Sequence, residues 1–103
     1  MSSWADHAIE ALQRGERVEI RPRGNSMRPK IESGALVTLV PVPEATPICK
    51  GDIVLVRVGG RIYLHIIKAV QGVRFLIGNR GGTNGWVSRE SIYGRAAHID
   101  NRG

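Results

Sequence analysis

At 103 residues, with 42% hydrophobic residues, 13 glycines and 5 prolines, the chain is an ordinary globular sequence near the lower end of what buries a core unaided. A single cysteine, Cys49, excludes an internal disulfide framework, and no apolar run reaches the length that crosses a bilayer as a helix. The net charge of +6 favours acidic partners, a peptide or nucleic acid, near the basic residues Arg14, Arg17, Arg21, Arg23, Arg28 and Lys30, although Glu10, Glu16, Glu19 and Glu32 interleave with them.

Ser3 reads as an N-cap with Asp6 three residues on, and Gly15 as a C-terminal stop. Between them Trp4, Ala8 and Leu12, with Ala5 and Ile9, share one helical face that packs on the rest of the domain. With Asp6, His7 and Glu10 in its first ten residues, this segment is not a secretory signal. After Gly15 the period changes to two: Val18 and Ile20 alternate with charged residues and lead into Gly24-Asn25-Ser26-Met27-Arg28-Pro29. Residues 35–40 form a β-rich run, and the prolines of 41–47 restrict that stretch to a loop or an extended edge. Cys49 reads as a small buried or half-buried residue at a strand entry, and its solitude suits a reducing compartment.

Residues 53–58 and 61–70 read as strands joined by Gly59-Gly60, a hairpin signal. In the second of them Ile62, Leu64, Ile66 and Val70 share one face, assigned to the core, while Tyr63, His65 and Ile67 share the other. Gln71-Gly72 turns into a strand over 73–77, residues 79–85 read as a glycine-rich loop, and 93–99 as the last strand. Many short strands with regular turn signals predict a mainly β domain, a small, partly open barrel with one short N-terminal helix. It is a single unit over 1–103, the helix over 1–15 and the β-core over 16–103.

Four blocks along this frame carry a resemblance. Gly24-Asn25-Ser26-Met27-Arg28-Pro29 resembles the G-x-S-M-x-P nucleophile box of the signal peptidase and LexA-type superfamily of serine peptidases. Gly51-Asp52-Ile53-Val54-Leu55-Val56 resembles the family's GD strand, and residues 61–70 stand where the family carries its general base. Gly78-Asn79-Arg80, Gly85-Trp86-Val87 and Tyr93-Gly94-Arg95-Ala96 resemble the closing boxes of bacterial signal peptidases. The blocks fall in the family's order from Gly24 to Ile99, about three-quarters of the chain.

The resemblance implies a partly open β-barrel of the signal peptidase and LexA C-terminal type, and a serine endopeptidase without metal or cofactor. Ser26 takes the place of the nucleophile, its backbone N–H the place of an oxyanion donor, and His65, aligned with the family's base, the place of the group that removes the serine proton. An imidazole with a pKa near ~6.5 serves as a base at neutral pH without heavy tuning, whereas Lys68, three residues on, faces the opposite side of a regular strand. Gly24, Asn25, Met27, Ile20 and Pro22 line the oxyanion and substrate side. The orienting acid found in the histidine-bearing members has no counterpart here, which leaves Asn79, Asn84 or Ser88 to assist a Ser26–His65 dyad. The expected substrate is an extended peptide added as a strand beside residues 18–22, with small residues near the cut. Self-cleavage of the LexA kind is not expected, because no Ala-Gly or Cys-Gly bond precedes Ser26. With a polar helix where membrane-bound signal peptidases carry their anchor, the chain is expected to be soluble and cytoplasmic. A catalytically silent relative that uses the same basic face to bind nucleic acid or a protein is the alternative.

Overall fold

A computed structural model describes residues 4–23 and 30–101. Trp4–Gln13 forms α1. The cap expected at Ser3, and the packing expected of the Trp4 side chain, lie outside the described residues. The helix stops where Gly15 N–H bonds the Leu12 carbonyl and Glu16 N–H bonds that of Ala11, the paired closing bonds of a Schellman end. Ala5, Ala8, Ile9 and Leu12 are buried, so the stripe read from the period of 3.6 is the docking face.

Among the described residues seven strands follow: β1 Val18–Ile20, β2 Leu36–Val40, β3 Ile53–Val58, β4 Arg61–Gln71, β5 Arg74–Asn79, β6 Gly82–Ser88 and β7 Ile92–Asp100. A 3-10 turn, Arg89–Ser91, leads into β7. They make one antiparallel sheet in the order β1-β2-β7-β3-β4-β5-β6. The sheet does not close, so β1 and β6 are its two ends, and the architecture is the mainly β, partly open, barrel-like one. Gly59 and Gly60 both adopt positive φ, 57° and 83°, between the paired residues Val58 and Arg61. This is the two-residue turn that suits the right-handed twist of a hairpin.

The sheet buries both faces. One cluster joins α1 to Ile31, Val37, Leu39, Ile53, Leu55 and Leu64. The other gathers Ile48, Val54, Val56, Ile67, Phe75, Ile77, Val87 and Ile92. β3 lies between β7 and β4, and its residues 53–56 go alternately to each cluster, which is why that stretch reads as an unbroken apolar run. The GD motif has a local role here. Gly51 N–H bonds the Ile67 carbonyl, Ile67 N–H bonds the Asp52 carbonyl, and the Asp52 carboxylate accepts the Cys49 N–H at 2.9 Å. These bonds pin the entry of β3 to β4.

Four details differ from the sequence-based expectation. Residues 79–85 are not one loop, because Asn79 ends β5 and Gly82 already begins β6. Glycine and asparagine are poor strand formers, but pairing with β5 overrides that preference. Val73 stands in the turn, 80% exposed, and β5 starts at Arg74. Val70, expected in the core beside Ile66, is 44% exposed, because a bulge between Ile67 and Ala69 inserts Lys68 and inverts the alternation beyond it. Cys49 is exposed: it precedes the turn into β3 and offers its backbone, not its thiol, to Asp52.

Candidate active site

His65 sits in the middle of β4, opposite Val54 of β3, and therefore on the face of the second cluster. It is the one buried polar or charged side chain among the described residues, 5% exposed. Its Nδ1 stands 2.8 Å from Asn84 Oδ1. Since Oδ1 only accepts, Nδ1 carries the proton and donates, and the neutral ring keeps its lone pair on Nε2. The Tyr63 ring, two residues back on the same face, stacks on the imidazole with centroids 4.7 Å apart and planes 24° apart. One edge of the ring is thus tied by a hydrogen bond and one face by an aromatic plate.

The environment favours the uncharged base. Burial lowers the His65 pKa below its ordinary 6.5, and the Asn84 bond opposes that shift only in part. The ring is accordingly neutral at pH 7 and able to accept a proton.

A register shift beside Gly78 builds this arrangement. Ile77 pairs with Gly85 and Gly78 with Thr83, so Asn84 is an extra residue in β6. In a regular strand Asn84 would face away from Gly85, whose side of the sheet is that of Ile77 and His65. The bulge turns it onto that side, the re-aiming such irregularities commonly perform. The bulge in β4 acts differently. Lys68 lays Cγ and Cε over Gly78, 3.0 and 3.1 Å from where a Cβ there would stand. Gly78 pairs with Ile66, so the ammonium stem covers the face opposite His65. Of the three residues proposed to assist the dyad, Asn84 reaches the imidazole. Asn79 instead accepts the Gly81 N–H at 2.8 Å within its own turn, and Ser88 makes no side-chain cap bond.

Ser26 lies outside the described residues, as do Gly24, Asn25 and Met27. The segments on either side of them are well anchored. Ile20 pairs with Val37, the Pro22 carbonyl accepts the Gly34 N–H at 2.8 Å, and Arg21 donates to the Gly34 carbonyl at 3.1 Å. On the other side Asn101 holds both Lys30, through its carbonyl at 3.2 Å, and Glu32, through its N–H at 2.9 Å. Ile31 between them is buried. Sequence reading missed this role of Asn101, which no local pattern signals because the contact spans about 70 residues.

Among the described residues no group of three or more His, Cys, Asp or Glu side chains is placed to hold a metal ion. None of the helices described is long and apolar enough to cross a membrane. A family model described as Peptidase S24-like matches residues 9–79, a span that contains the serine box, the GD strand and His65. No curated protein matches the chain. Asn84 falls beyond the matched span, so the partner of the imidazole belongs to the part of the chain that the family model leaves undescribed.

Proposed function

The chain belongs to the Peptidase S24-like family, and from that premise we propose that it is a serine endopeptidase cutting an extended peptide through Ser26 and His65. Ser26 Oγ attacks the carbonyl carbon while its proton passes to His65 Nε2. The Ser26 backbone N–H donates to the oxyanion. Collapse of the tetrahedral intermediate breaks the C–N bond as the imidazolium returns its proton to the leaving amine. A water molecule, deprotonated by the same nitrogen, then releases the acyl group and restores the serine. The peptide lies as a strand along residues 18–22, against Ile20 and Pro22, with Gly24, Asn25 and Met27 beside the cut. The enzyme works in the cytoplasm on soluble substrates.

The observation that carries this reading is the His65–Asn84 hydrogen bond on a buried ring. An amide acceptor at Nδ1 fixes the tautomer a general base needs, the task a carboxylate performs in the serine triad and an asparagine in papain-like enzymes. A fluorophosphonate probe tests it: wild-type protein becomes labelled and cleaves members of a panel of small-residue peptides, while Ser26→Ala does neither. Absence of both labelling and turnover in the wild type would leave the second reading, a silent module binding through its basic face. That reading draws on one observation, the neutral amide at Nδ1 in place of a carboxylate, which stabilises the imidazolium less than an acid would.

A further inference from the structure

A groove of about 480 Å³ runs between α1 and the open end of the sheet, lined by His7, Glu19, Ile20, Arg21, Pro22 and Arg23. We propose that this groove selects substrates by seating an acidic side chain of the bound peptide close to the scissile bond. The proposal rests on the peptidase reading and adds to it the substrate class.

Three observations lead there. The first is topological. Among the described residues β1 pairs with β2 on one side only and ends the sheet, an edge along which an added strand can pair. The groove follows that edge. The second is charge. Arg21 and Arg23 are exposed and make no ion pair among the described residues, and Arg21 is held in place by its bond to the Gly34 carbonyl. A carboxylate entering the groove gains charge-assisted hydrogen bonds from these two guanidinium groups, of which Arg21 is already ordered. Glu19, also exposed, lines the same groove four residues before Arg23 and brings the opposite sign to it. His7 adds a donor from the helix wall.

The third is chain length. Arg23 precedes Ser26 by three residues, and three residues span at most about 10 Å. An extended substrate rises about 3.3 Å per residue, so the acid it offers to Arg23 falls within roughly three residues of the bond that Ser26 would attack. The apolar wall of Ile20 and Pro22 is left for the small neighbouring side chain.

Binding to the Ser26→Ala variant separates this inference from the chemistry. Fluorescein-labelled extended peptides, identical except for Asp or Asn at one of the three positions on either side of the centre, are titrated by anisotropy at 50 and 300 mM NaCl. At least one Asp position is expected to bind about five- to tenfold more tightly than its Asn twin at low salt, with the advantage shrinking at high salt. Arg23→Glu, which leaves the Arg21–Gly34 bond intact, is expected to abolish that advantage. Arg61→Glu, at the Gly59-Gly60 hairpin, is expected to keep it. Equal binding of every Asp and Asn pair, or equal losses in the Arg23 and Arg61 variants, would overturn the proposal. So would displacement of the peptide by a single-stranded oligonucleotide that binds more tightly, which would assign the groove to nucleic acid. Because none of these readouts involves turnover, a wild type without peptidase activity would sink the catalytic reading and leave this one standing or falling by itself.

Discussion

The two buried clusters of the sheet are built to different rules. The buried residues of the cluster under α1 are all aliphatic, with Ala5, Ala8, Ile9 and Leu12 of the helix meeting Val37, Leu39 and Leu55. The cluster on the other face admits a histidine at its border, beside Val54 and Ile67, and that ring is held by an aromatic plate and an amide. Both faces have bulges beside them, but only the one in β6 delivers a side chain to the buried imidazole. The difference teaches that packing alone explains the first region. In the second, backbone irregularity was used to satisfy a polar group whose burial is otherwise unfavourable.

The comparison breaks most visibly at the base. His65→Ala, like Ser26→Ala, is expected to reduce kcat on the order of 10⁴- to 10⁶-fold, and the double variant should be little worse than either, because groups that act as one unit are not additive. Lys68→Ala is expected to keep its activity, since the lysine covers the opposite face. A Lys68 variant as inactive as the His65 one, measured with the same peptide, would return the base to lysine.

Next comes the aliphatic side. Leu55 is fully buried, and Leu55→Ala should lower stability by about 2–5 kcal/mol, read from denaturant midpoints. The fraction still folded should cleave at the wild-type rate.

Two glycines sharpen the contrast at smaller magnitude. A Cβ on Gly94 would stand 2.8 and 2.9 Å from the Leu12 methyls and 2.9 Å from the Val40 carbonyl. Gly94→Ala is therefore expected to cost about 1–3 kcal/mol through overpacking between α1 and β7. A Cβ on Gly78 would meet the Gly82 carbonyl at 2.5 Å, backbone that cannot swing aside. Gly78→Ala should therefore displace the start of β6 and with it Asn84, so that it loses activity as well as stability. If both variants lose stability alone, Gly78 does not position Asn84.

The smallest effects are in pH. The folded His65 pKa lies below the unfolded value of 6.5, so the unfolded chain binds more protons in the interval between the two. The contribution of the neutral ring to stability is complete above pH 6.5 and is lost as pH falls through that interval towards the folded pKa. An ordinary imidazole base would give an activity profile rising through ~6–7.5. Burial is expected to move that midpoint below the ordinary 6.5, and an activity midpoint above 6.5 would contradict a buried His65 as the base. Asn84→Asp places a carboxylate at Nδ1 and should shift the His65 titration upward, as followed by the imidazole proton resonance. An unchanged titration would mean that residue 84 does not contact the ring in solution.

Much of this was legible in the chain. The helix stripe, the Gly59-Gly60 hairpin and the placing of His65 and Lys68 on opposite sides of β4 all follow from local periodicity and turn chemistry. Those are properties of neighbouring residues, and backbone geometry translates them directly. The partner of His65 was narrowed to Asn79, Asn84 or Ser88 and no further, because an inserted residue in a bulge leaves no mark on composition. Val70 was misplaced for the same reason, since one extra residue at Lys68 inverts the alternation beyond it. The anchoring of the Lys30–Glu32 segment by Asn101, the exposure of Cys49 and the depth of His65 likewise depended on which strands became neighbours. Sequence determined which residues alternate and where the chain turns. The pairing of β4, β5 and β6 decided which side of the sheet each polar group finally faces, because register is set by the ladder as a whole and not by any one strand.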